Sequence, residues 1–167
     1  MADKPEMGKM FAGWKVNGEI ISADEAYTFF AGTELTVEAV YGNEPVTVEA
    51  QAHLQDITAA KRNDDRYNLR YLAQLVIPEG CKLVNAGLVW SNKGLDTEDA
   101  LQIKADGTTA VGVKVTKISA ISSTYQFSVT IKGVPVNTEV PGRIFAEIED
   151  ADGNRYVYSE ILTGVAK

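Results

Sequence analysis

The stretch Thr124–Ile161, TYQFSVTIKGVPVNTEVPGRIFAEIEDADGNRYVYSEI, decides how the chain is read. Tyr125, Phe127, Val129 and Ile131 alternate with Gln126, Ser128 and Thr130, the period-2 pattern of a half-buried β-strand. Ile144, Ala146 and Ile148 alternate in the same way with Arg143, Phe145, Glu147 and Glu149. The run Asp150-Ala151-Asp152-Gly153-Asn154 reads as a turn, and Arg155-Tyr156-Val157-Tyr158 beyond it is rich in residues that pack on a pleated surface. Two hairpin registers are open. A two-residue turn at Asp152-Gly153 sets Glu149 opposite Tyr156 and Glu147 opposite Tyr158, and places both tyrosines on the outer face with Phe145. A three-residue loop, Ala151 to Gly153 with Gly153 left-handed, pairs Glu149 with Arg155 and turns both tyrosines inward beside Ile148 and Ala146. The second register is the expectation, because it brings opposite charges together across the strands.

The same period recurs upstream. Val46, Val48, Ala50, Ala52 and Leu54 face one way, and Thr47, Glu49, Gln51 and His53 the other. Tyr67, Leu69, Tyr71, Ala73, Leu75 and Ile77 mark a long strand closed by the Pro78-Glu79-Gly80 turn, and Leu83–Trp90 marks another. Asp96-Thr97-Glu98-Asp99 has the composition of a helix start, predicting a short helix through Leu101 and Ile103. Val111, Val113 and Val115 predict a further strand, and Ser119–Ser123 leads back to Tyr125. About seven strands separated by turn signals predict a two-sheet antiparallel β-sandwich. No helical pattern alternates with them, which disfavours βαβ units.

Ahead of the sandwich lies a smaller β unit. Phe11–Val16 and Glu19–Ser22 flank Asn17-Gly18, the strongest short-range hairpin signal. Tyr27-Thr28-Phe29 and Thr36–Tyr41 predict two more strands around a bend at Gly32. Four short strands need a neighbour to pack on. Gly42-Asn43-Glu44-Pro45 reads as a linker, so the organisation is a small β unit over 1–43 and a β-sandwich over 44–167. The fold class is therefore all-β, with the small unit packed beside or linked to the sandwich.

Composition narrows the function classes. Sixteen basic against 23 acidic side chains leave a net charge of −7, which argues against nucleic acid and anionic membrane surfaces as partners. No apolar run reaches the roughly 18 residues of a membrane span. The first residues, Met1 to Glu6, lack the apolar stretch of a signal peptide, so the chain of a secreted protein would be a fragment with its signal elsewhere. Cys81 has no second cysteine to pair with, and as a nucleophile it would need a base. His53 is the single histidine, on the polar side of its strand with Glu49 and Gln51. One His and one Cys do not make a zinc ligand set, and no Gly-rich phosphate loop is present. No catalytic, cofactor or metal residue is assigned, and a non-enzyme is expected.

Two binding readings remain. Asp150, Asp152 and Asn154 fall at the first alternate positions of a calcium loop, but Arg155 holds the position that needs glycine and Ile161 the one that needs glutamate. A tight hairpin accounts for the same residues. The second reading is a sugar platform built from Trp90, Phe145, Tyr156 and Tyr158. Against it, Trp90 shares a strand face with Leu88 and Ala86, and Tyr67 and Tyr71 share one with Leu69 and Leu75, which are core patterns. Trp14 is expected to pack within its own unit.

Residues 9–41, through Phe11-x-Gly13-Trp14, Gly18, Ser22, Tyr27-x-Phe29 and Val37-x-Ala39-x-Tyr41, resemble the second half of a Listeria–Bacteroides (internalin B-type) repeat of Gram-positive surface proteins. Tyr125–Ile131, Arg143–Glu149, the Asp150 turn and Val157-Tyr158-Ser159, with Arg70–Ala73, Pro78-Glu79-Gly80 and Ala86-Gly87-Leu88, are similar to an immunoglobulin-like domain of secreted Firmicutes proteins. The resemblance implies a non-catalytic structural or interaction module of a secreted bacterial cell-surface protein, extracellular or in the cell wall. Its partners would be other domains of the same protein or a separate protein. The alternative is a carbohydrate-binding module, with a polysaccharide as partner and no membrane insertion.

Overall fold

The computed structural model describes residues 8–28, 36–44, 46–62, 64–91, 93–103, 112–114, 118–121 and 124–167. It is all-β, without helices among the described residues, and its strands form three antiparallel sheets. The first holds β1 (Met10–Val16), β2 (Glu19–Ser22) and β3 (Val37–Gly42) in the order β2-β1-β3. Asn17 and Gly18 both take positive φ, 49° and 98°, as the expected type I′ turn requires. Tyr27 and Thr28 are not in a strand; Phe29 and Gly32, with which the sequence predicted one, lie outside the described residues.

The sandwich is built from the other two sheets. One contains β4 (Gln51–Lys61), β5 (Arg66–Val76), β8 (Ser119–Ile121) and β9 (Thr124–Pro135) in the order β4-β5-β9-β8. The other contains β6 (Lys82–Trp90), β7 (Gly112–Lys114), β10 (Glu139–Asp150), β11 (Gly153–Tyr158) and β12 (Leu162–Val165). Its order is β7-β6-β10, with β11 and β12 both pairing along the far side of β10. This is the strand order of an immunoglobulin-type sandwich with one added edge strand. Val111 and Val115 of the expected strand, and Ser122 and Ser123 of the connection back to Tyr125, lie outside the described residues.

Two expectations are corrected here. Val46–Ala50 is not strand; β4 begins at Gln51 and runs on to Lys61, with an irregularity between Leu54 and Asp56. Asp96–Ile103 forms no helix, only a turn in which the amides of Ala100 and Leu101 both donate to Thr97 O at 3.1 Å. The acidic residues supplied a helix start, but Leu101 and Ile103 bury themselves against the outside of the second sheet instead. An alternate-residue apolar pair fits a flat sheet face better than a helix stripe.

The core lies between the sheets. Leu69, Tyr71, Ala73 and Leu75 of β5 meet Ala86 and Leu88 of β6 and Ile144, Ala146 and Ile148 of β10, all without solvent exposure. Each large aliphatic side chain contributes about 1.5–3 kcal/mol by leaving water. Tyr71 crosses the core and donates its hydroxyl to Val140 O at 2.6 Å, joining the two sheets by a buried hydrogen bond. Gly164 of β12 sits directly over that ring: a Cβ there would stand 2.8 Å from the Tyr71 hydroxyl.

The small sheet stands at the pole where β4 begins and β5 ends, while β12 runs alongside the start of β10 toward the opposite pole. Within it Phe11 packs on Trp14 with ring centroids 5.3 Å apart and on Tyr41 at 6.0 Å. The Trp14 indole donates to Asp24 O at 3.0 Å.

Candidate functional site

The outer face of the second sheet is where sequence suggested a sugar platform. β10 is its central strand and is buried on both faces from Val140 to Ala146. Phe145, expected on an open outer face, has no solvent exposure at all. It joins Val89, Leu101 and Ile103 in a second apolar cluster, with Tyr156, Tyr158 and Ile161 packed half-buried against it. Tyr156 lies 6.2 Å from both Phe145 and Tyr158, measured between ring centroids. The Arg143 guanidinium covers the Tyr158 ring at 4.5 Å, and its Nε donates to Ser159 O. The Tyr158 hydroxyl accepts the Ile103 amide at 2.8 Å, tying the 95–103 segment to the sheet. Burial raises the Tyr158 pKa, with the Ile103 amide and the Arg143 charge opposing; burial and then the Glu147 charge raise that of Tyr156.

Phe145 is fully covered and the tyrosine rings meet it and each other edge-on or tilted, so the cluster has the character of a satellite core. Phe145 has no free face on which a pyranose could stack. Trp90 is elsewhere, on the inner side at the end of β6, opposite Gly142 and half-buried against the main core as its spacing from Leu88 predicted. Its indole N–H is buried and meets no acceptor among the described residues.

The β10–β11 hairpin follows neither register anticipated from sequence. Asp150 pairs with Gly153, Glu149 with Asn154, Glu147 with Tyr156 and Phe145 with Tyr158. The expected pairing of Glu149 with Arg155 is therefore corrected, and both tyrosines lie on the outer face with Phe145. The charges find other partners. Arg155 Nε donates to Asp150 Oδ2 at 2.9 Å, Lys82 of β6 reaches Glu149 at 3.3 Å, and Asn85 of β6 donates to Glu147 at 2.7 Å. β6 flanks β10 on its other side and competes for the charges of the hairpin.

Gly153 does take a positive φ, 112°. Asp150 accepts the Asp152 amide on Oδ1 at 2.9 Å as well as Arg155 on Oδ2. The Arg155 hydrogen bond, with help from the Asp152 amide, holds its carboxyl below the usual carboxylate range. The calcium reading of Asp150, Asp152 and Asn154 thus meets a carboxylate whose two oxygens already hold protein donors.

A further concavity lies where no sequence motif pointed. A cleft of about 560 Å³ opens at the sandwich pole beneath the small sheet. Its floor is the end of the sandwich core, Ile77, Pro78 and Tyr125; its walls come from Ser22–Asp24 at the end of β2 and from Thr47 and Val48 in the segment ahead of β4. A second groove, cavities of about 320 and 310 Å³, surrounds His53, Glu19 and Glu160. His53 Nε2 is 3.7 Å from Glu19 Oε2 and 3.2 Å from Gln51 Oε1.

The hydrogen bonds described between the units at this junction are long. Gln51 Nε2 is 3.5 Å from Ile20 O, and the Tyr27 hydroxyl is 3.5 Å from both Gln74 Nε2 and Thr124 Oγ1. Gln74, buried by this arrangement, also accepts a hydrogen bond from Gln55, which in turn accepts one from Gln126. Linker and strand segments distant in sequence build the cleft, so no spacing could have announced it.

Comparison of the chain with protein-family models, with curated proteins and with solved structures returns no match.

Proposed function

We propose that the chain is a non-catalytic structural module of a secreted bacterial cell-surface protein, a β unit that spaces or presents neighbouring domains outside the cell or in its wall. The supporting observation is the serial arrangement. The small sheet occupies one pole of the sandwich, and β12 runs to the other. Neighbouring domains joined at those poles are held a full sandwich length apart. The main core and the Tyr71–Val140 tie between sheets make that length stiff. Its partners are then the adjoining domains of the same protein.

The test is a dumbbell with a fluorescent protein fused to each end. Energy transfer should stay low and constant until denaturant unfolds the sandwich. Efficient transfer in the native state, which places the two ends side by side, would overturn the spacer reading.

A further inference from the structure

We infer that the cleft at the junction is a binding site for a neutral pyranose, one or two rings of a glycan chain. The inference goes beyond the spacer role and stands or falls separately from it.

Its volume, about 560 Å³, is within the range of small-ligand pockets, and junctions between folded units are where such pockets concentrate. The chemistry of the lining narrows the occupant. No lysine or arginine lines the cleft among the described residues, so phosphate and carboxylate ligands have no counter-charge. The floor is apolar: Ile77 is buried, and Tyr125 packs half-buried on the core end beside Pro78. Polar groups stand at the rim. Asp24 and Glu79 are exposed carboxylates that accept hydrogen bonds from hydroxyls, and the Thr47 hydroxyl both donates and accepts.

An apolar floor inside a ring of acceptors matches a pyranose, whose faces present C–H groups and whose edge carries hydroxyls. A lysine or polyamine chain would bring its charge to the carboxylates and leave the aromatic and aliphatic floor unfilled. Because Asp24 belongs to the small unit, Thr47 to the linker and Tyr125 to the sandwich, an occupant touches all three. Binding then stabilises the docked arrangement over any in which the units separate.

The experiment titrates the full chain with cellobiose, maltose and N,N′-diacetylchitobiose, observed by amide NMR. At least one disaccharide should shift amides on both walls, near Asp24 and near Thr47, and should slow alkylation by iodoacetamide of the thiol of Cys81, which also lines the cleft. Tyr125→Ala should weaken binding about tenfold or more, the loss of a stacked ring. Tyr125 also packs on the core, so Glu79→Ala, in an exposed turn, serves as the second variant and should weaken binding several-fold with an unchanged spectrum of the sandwich. Three results would overturn the site: no shift with any of the three sugars, shifts on one wall only, or affinity unchanged in Glu79→Ala. Preferential binding of an oligolysine peptide at the same amides would overturn the choice of ligand.

Discussion

The sandwich and the small sheet are made of the same kind of strand but hold themselves together differently. Between its sheets the sandwich closes a continuous core from Ala50 to Ala166, with Leu69, Leu75, Leu88 and Ile144 wholly removed from solvent. Among its described residues the small sheet buries only Ala12, Gly13, Ile21 and Ser22, and its aromatic group of Phe11, Trp14 and Tyr41 stays half-exposed. Neither apolar cluster of the sandwich includes a described residue of the small sheet. The difference is one of layers. A sheet with a second sheet across from it can hide alternate residues, whereas a single three-stranded sheet must borrow a surface. The surface borrowed is the sandwich pole, and the joint includes glutamines, the Tyr27 hydroxyl, the His53–Glu19 contact and open clefts.

Perturbing the two regions should therefore give responses of different size and reach. The largest effect is expected from Leu88→Ala, which empties a fully buried site between the sheets. It should cost about 2–5 kcal/mol, read as a lowered midpoint of cooperative urea unfolding. An effect below 1 kcal/mol would mean that the core is not close-packed there.

Next come two changes at the tie between the sheets. Gly164→Ala forces a methyl within 2.8 Å of the Tyr71 hydroxyl and 2.9 Å of Ile57, and should destabilise by about 1–3 kcal/mol. Tyr71→Phe leaves the Val140 carbonyl without that donor and should also cost about 1–3 kcal/mol. The same hydroxyl gives a pH signature. Burial pushes its pKa above the ordinary 10.0, only partly offset by a backbone hydrogen bond at Gly164. Its contribution to stability is fully present below about pH 10, where the unfolded tyrosine is still protonated, and is lost as pH rises further. In an alkaline titration followed by phenolate absorbance, Tyr71→Phe should remove the tyrosine that ionises only with unfolding.

Smaller in reach is Ile21→Ala in the small sheet. Amide exchange should accelerate across β1, β2 and β3, while protection in β5 and β10 is unchanged, as for a locally opening unit. Loss of protection in both regions would show that the two units unfold together. The smallest effect is expected at the joint itself. His53→Ala removes the half-exposed contact with Glu19 and should shift the sandwich midpoint by less than about 1 kcal/mol.

Much of the fold was legible because alternation survives wherever one face of a strand is buried. The Tyr67–Ile77 run, the Leu83–Trp90 run and the Asn17-Gly18 hairpin match β5, β6 and the β1–β2 turn closely. Legibility failed where a strand is covered on both faces or paired on both sides. Phe145 alternates with Ile144 and Ala146 as an outer residue should, yet the 95–103 segment roofs it. Arg155 and Glu149 look like a cross-strand pair until β6 and Asp150 compete for them. β12 went unread because Leu162-Thr163-Gly164-Val165 is too short to show a period, and its glycine is dictated by the Tyr71 ring beneath it.

The sequence alone determined the class of structure: all-β, one sandwich preceded by a smaller β unit, with a net charge of −7. These follow from local period, turn chemistry and net charge, which act over a few residues or over the whole surface at once. The tertiary structure decided the hairpin register, the roof over Phe145, and the cleft that joins Asp24, Thr47 and Tyr125. Each depends on which distant segments are brought side by side, and that choice is made by the burial of the whole core rather than by any stretch within it.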